Sequence, residues 1–128
     1  MKEKQIKYLV SHFSRAKQKA LYNKTRIVLN NLYGYSKHFK QRIATKRIAL
    51  PSYLLDSLAA GKFDIIELNY TYYKNYYTSR AVVRSLESYN NKQLCLVVDL
   101  DNHVLVTAWT NKVGDIHSSI KLSKYINF

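Results

Sequence analysis

Gln93-Leu94-Cys95-Leu96-Val97-Val98-Asp99-Leu100-Asp101-Asn102-His103-Val104-Leu105-Val106-Thr107-Ala108-Trp109 is two runs of branched apolar residues broken by acids and an amide. Runs of this length and composition read as β-strands, and Asp99-Leu100-Asp101-Asn102 supplies turn chemistry, so the segment folds back on itself as an antiparallel hairpin. Upstream, Arg80-Ala81-Val82-Val83-Arg84-Ser85-Leu86 and Phe63-Asp64-Ile65-Ile66-Glu67-Leu68 have the same character, and Asn90-Asn91-Lys92 offers a second tight turn. Four consecutive strands joined this way form an antiparallel meander.

Before Gly61 the period changes. Ile6, Leu9, Val10, Phe13, Ala16 and Ala20 recur at three- and four-residue spacing among lysines and arginines, which predicts a basic amphipathic helix from Gln5 to about Tyr22. A short apolar stretch, Ile27-Val28-Leu29 with Leu32, closes near Gly34. Ser36 then stands as the N-cap of a helix over 37–47, with Phe39 and Ile43 on one face and His38, Arg42 and Lys46 on a neighbouring one. Pro51 opens a further helix through Tyr53–Ala60, and Gly61 provides its left-handed stop. The expected fold class is α+β, N-terminal helices packed on a four-stranded antiparallel sheet. Length allows one core: a basic helical N-terminal extension over 1–34 and an α+β domain over 35–128.

The net charge of +13 is concentrated at one end. Residues 1–50 hold thirteen basic side chains and one acid, Glu3, a balance of +12; residues 51–128 hold eight basic and seven acidic, a balance of +1. Such an asymmetric cationic surface points to a polyanionic partner, with nucleic acid first. No apolar run is long enough for a membrane span, and Met1-Lys2-Glu3-Lys4 leads into a Lys-rich segment without the apolar stretch of a secretory signal, so a cytoplasmic protein without a membrane partner is expected. Cys95, the single cysteine, lies in an apolar run and reads as core. Asn69–Tyr77 holds five tyrosines, which read either as a loop stacking on unpaired bases or as a hairpin extended by cross-strand aromatic pairs.

Chemistry narrows by elimination. Four histidines and one cysteine show no metal-binding spacing, and there is no Gly-rich phosphate loop and no G-x-S-x-G elbow, so no metal or cofactor is expected. What remains is His38-x3-Arg42-x3-Lys46, an imidazole one helical turn from a guanidinium. Cleaving RNA needs such groups: a base for the 2′-hydroxyl proton, cations for the charge on the phosphate, and an acid for the departing 5′-oxygen. At the other end of the chain, strand alternation sets Leu105, Thr107 and Trp109 on one face, and Asn111, Asp115 and His117 follow.

These elements together resemble the barnase/EndoU/colicin/RelE (BECR) superfamily of small ribonuclease toxins, including phage-encoded RelE-like nucleases. The resemblance covers roughly residues 35–125. It is carried by the H-x3-R-x3-[K/R] helix, the Leu-rich helix ending at Gly61, the four strands, and a last strand ending Thr-x-Trp-x-Asn before Asp-x-His. It implies a metal-independent endoribonuclease, with His38 as acid or base, Arg42 as phosphate-binding cation, Thr107 as the last-strand hydroxyl and His117 as a second imidazole. It further implies nucleic-acid contacts from Arg80, Arg84, Trp109, Asn111, Lys37, Lys40, Lys46 and Arg47, the third motif position being divided between Lys46 and Arg47. RNA, either tRNA or mRNA, is the expected partner, and an acidic antitoxin or immunity protein fits the same picture. The alternatives are a non-catalytic RNA-binding module built on the basic segment, and a phage protein that interacts with a host enzyme.

Overall fold

Downstream of Gly61 the branched apolar runs do form four consecutive strands. The computed structural model describes residues 4–35, 52–73, 76–114 and 125–126. In chain order the elements are β1 (Lys4–Leu9), a single 3₁₀ turn (Val10–His12), α1 (Arg15–Leu29), β2 (Gly34–Tyr35), α2 (Ser52–Ala59), β3 (Phe63–Tyr73), β4 (Tyr76–Tyr89), β5 (Lys92–Asp99) and β6 (Val104–Lys112). The fold is α+β. One sheet contains every strand in the order β1-β3-β4-β5-β6-β2; the first five are antiparallel neighbours, and the two residues of β2 run parallel to β6.

The sheet therefore has more than the four strands expected. The difference lies at the N-terminus, where Gln5 to Leu9 was expected to be helical and is strand. Ile6 and Tyr8 alternate with Gln5 and Lys7, a period-two pattern that the three- and four-residue apolar spacing conceals, and the open edge of β3 decides between the two by offering backbone partners from Glu67 to Tyr72. The helix starts later: Ser14 accepts from the Lys17 amide at 3.2 Å and caps α1. It then continues through Ile27-Val28-Leu29, uniting two segments that read as separate. Its buried stripe is Leu21, Thr25, Val28 and Leu29, whereas Ala16 and Ala20 are exposed.

Both helices contribute to one core. Val10, Leu21, Val28, Leu29 and Leu58 meet Leu68, Ala81, Val83, Leu94, Leu96, Val98, Leu105 and Ala108 from one face of the sheet. Two clamps fix α1 to the end of α2. Asn30 Nδ2 donates to the Ala59 carbonyl at 2.7 Å, and the Tyr22 hydroxyl donates to the Gly61 carbonyl at 2.6 Å. Gly61 has φ +94°, the left-handed stop the sequence announces, and a Cβ there would run into the Tyr22 hydroxyl.

The turns follow their chemistry. Asn90 and Asn91 have φ of 50° and 61°, the pair of positive values that a two-residue hairpin loop requires. Asp99 holds the next turn, its carboxylate accepting from the amides of Asp101 and Asn102 at 3.0 and 2.9 Å. The Tyr-rich segment contributes the paired ends of β3 and β4, with Tyr72 opposite Tyr77. The helix expected over 37–47 lies outside the described residues. No helix among the described residues is long and apolar enough to cross a membrane.

Candidate functional site

With the helices on one side, every second residue of the strands faces the other. Register alone sets the rows on this open face: Lys7, Asn69, Arg80 and Asp99 lie side by side across four strands, and Glu67, Val82, Val97 and Thr107 form the next row. Two bulges determine which residues those are. An extra residue between Ile65 and Glu67 reverses the alternation of β3, so Phe63, Ile65, Leu68 and Tyr70 all meet the core while Glu67, Asn69 and Thr71 turn away. A second irregularity opposite Val97/Val98 does the same in β6. Leu105 belongs to the core and Thr107 and Trp109 to the open face, which corrects the expectation that all three share one side.

A cleft of about 310 Å³ opens over these rows, lined by Lys7, Glu67, Asn69, Arg80, Thr107, Trp109 and Tyr125 among others. Its floor carries a chain of polar groups. The Tyr125 hydroxyl donates to Glu67 Oε1 at 2.7 Å, Asn69 Nδ2 donates to Glu67 Oε2 at 3.1 Å, and Thr71 Oγ1 donates to Asn69 Oδ1 at 2.9 Å. Glu67 is buried, and these donors replace the water that its carboxylate loses. Tyr125 is held over the cleft by a parallel bridge to Lys7, whose carbonyl accepts from the Ile126 amide at 3.1 Å. Burial, then the hydrogen bond to Glu67 and that group's charge, raise the Tyr125 hydroxyl above the ordinary tyrosine range, so it stays a donor at neutral pH.

Beside the cleft a second network engages Arg84. Its Nε donates to Gln93 Oε1 at 2.7 Å and its Nη2 to the Lys112 carbonyl at 2.9 Å. Its cross-strand neighbour Cys95 is fully buried, and burial pushes the thiol up to about 11 against the opposing pull of the Arg84 charge. Cys95 is therefore an inert neutral thiol at working pH, which fits the core role read from its surroundings. Asn111 Nδ2 lies 3.7 Å from its sulfur.

Of the residues singled out by sequence, Arg80, Thr107 and Trp109 meet in the cleft, while Arg84 and Asn111 belong to the adjoining network. His38, Arg42, His117, Lys37, Lys40, Lys46 and Arg47 lie outside the described residues. Lys7, Glu67, Asn69 and Tyr125 escaped sequence reasoning. Glu67 left one trace, a carboxylate inside an otherwise apolar run. Among the described residues, no three His, Cys, Asp or Glu side chains gather as a metal site. The arrangement can grip a phosphodiester with Lys7 and Arg80, receive a planar base at Trp109, and accept a proton at Glu67.

No family model, curated protein or solved structure matches the chain.

Proposed function

We propose that the protein is a metal-independent endoribonuclease of BECR/RelE-like kind, working from the open face of its sheet. One observation carries this reading: Arg80, Thr107 and Trp109, which the resemblance gives as a nucleic-acid-binding cation, the last-strand hydroxyl and a nucleic-acid contact, share a single cleft with a second cation, Lys7, and a buried carboxylate, Glu67. Glu67 takes the proton from the 2′-hydroxyl, and the 2′-oxygen attacks phosphorus. The bond to the 5′-oxygen breaks, and His38 protonates that leaving group, giving a 2′,3′-cyclic phosphate and a free 5′-hydroxyl. Lys7, Arg80 and Arg42 stabilise the charge that builds on the phosphate oxygens. Thr107 donates to the same phosphate, Trp109 stacks on the flanking base, and the resemblance makes His117 a second imidazole. Arg84, Asn111, Lys37, Lys40, Lys46 and Arg47 extend the backbone contacts. In the cell such an enzyme acts on tRNA or mRNA as a toxin or phage-encoded factor in the cytoplasm, where an acidic immunity protein would restrain it.

Incubation of bulk RNA with the purified protein in excess EDTA tests this. The expected result is cleavage to cyclic-phosphate ends, with the rate falling by about a hundredfold or more in His38→Ala, the usual size of a lost acid or base. Intact RNA that nevertheless binds in a salt-sensitive way would establish the non-catalytic binding module instead.

A further inference from the structure

We propose that a row of aromatic rings on the opposite side of the sheet is a stacking platform for an unpaired stretch of the RNA substrate. The inference rests on the reading of the protein as RNA-acting, but it concerns a surface separate from the cleft. Phe13, Tyr8, Tyr70, Tyr77 and Tyr72 form a continuous chain of ring contacts, with centroid separations of 6.1, 5.8, 5.8 and 5.3 Å in that order. The row begins inside the core margin, where Phe13 and Tyr70 pack, and runs out along the β3–β4 hairpin. Its outermost rings stay open: Tyr72 is 38% and Tyr77 56% exposed.

Rings that served only to extend the hairpin would need no cations, yet cations flank this row. Lys17 Nζ stands 4.2 Å from the centre of the Phe13 ring, Lys4 is the cross-strand neighbour of Tyr72, and Arg15 and Lys19 are exposed on the first turns of α1, a helix without a single acid. The nearby Asp101 carboxylate is already engaged by the Ser79 amide and hydroxyl at 2.6 and 3.0 Å. Planar faces for bases beside ammonium and guanidinium groups for phosphates are what a single strand of nucleic acid requires, and a duplex, whose bases are stacked on one another, cannot use the rings.

Anisotropy titrations of the full chain with a labelled oligouridine and with a blunt RNA duplex of the same length decide the matter. The Tyr72→Ala/Tyr77→Ala double variant should bind the oligouridine about tenfold or more weakly, as the loss of two stacked bases implies, and the duplex unchanged. Tyr72→Phe/Tyr77→Phe, which keeps the ring faces, should bind both RNAs as the parent does. Oligouridine binding that survives the alanine pair would overturn the platform and leave the cleft reading intact. A parent protein that binds neither RNA would overturn both. A parent that forms dimers lost in the alanine pair would assign the face to a second copy of the chain and refute the platform.

Discussion

Glu67 is an acid in the middle of a sheet, and its neighbours show what that position demands. Both carboxylate oxygens accept hydrogen bonds, from Tyr125 and from Asn69, and Asn69 is steadied in turn by Thr71. Replacing Tyr125 with Phe leaves a buried oxygen short of a donor at nearly constant shape. We expect a loss of roughly 1–3 kcal/mol in urea unfolding at neutral pH. The alkaline side supplies a second readout. Folding raises the Tyr125 hydroxyl above the ordinary value of 10.0, so the native state holds this proton more tightly than the unfolded chain does. Its contribution to stability is complete below pH 10 and declines as pH rises toward the folded value; Tyr125→Phe should flatten that part of the stability profile, and an unchanged slope would count against the bond. Thr107 and Trp109 were legible in the sequence as a hydroxyl and an indole near the end of a strand, two residues apart. Glu67 was not, because the extra residue at Ile66 reverses which side of β3 each side chain takes, and a bulge has no signature in apolar periodicity. Tyr125 comes to the cleft through tertiary contacts, the bridge to Lys7 and the hydrogen bond to Glu67, that no local pattern announces.

Among the elements, the hairpins were the most readable because their turns are local chemistry: Asn90-Asn91 with paired positive φ, and Asp99 folding its carboxylate onto the amides that follow. The first strand was the least readable. Ile6, Leu9, Val10 and Phe13 satisfy a helical stripe, and only the unpaired edge of β3, more than fifty residues away in sequence, favours the extended form. Where α1 ends was also hidden, since Gly34 looked like a stop while the Asn30 bond to Ala59 ties the helix end to α2. Gly61 joins these parts, combining a left-handed backbone with the Tyr22 hydroxyl where a Cβ would stand. Gly61→Ala should destabilise by about 1–2 kcal/mol from the backbone alone, with the ring contact adding to it. Tyr22→Phe/Gly61→Ala should recover part of that loss; a Gly61→Ala protein as stable as the parent would show that the α1–α2 clamp contributes little.

Across the molecule, the basic residues of the N-terminal segment that the structure describes are not confined to one surface. β1 brings Lys7 to the cleft, while α1 directs Arg15, Lys17 and Lys19 outward on the other side of the sheet. The charge asymmetry was plain in the sequence, but its division between two faces follows from β1 being a strand. The cleft itself draws on β1, β3, β4, β5, β6 and the segment at Tyr125, elements spread over the whole chain, and no local pattern could assemble it. Whether RNA occupies that cleft is best answered by amide and indole chemical-shift mapping with a short 2′-O-methyl RNA, which lacks the nucleophilic hydroxyl and so is not consumed. Saturable shifts are expected at Lys7, Asn69, Arg80, Thr107 and the Trp109 indole N–H, all with one apparent Kd. Shifts limited to α1 and the tyrosine row, with those five residues unmoved at saturation, would contradict RNA binding in the cleft.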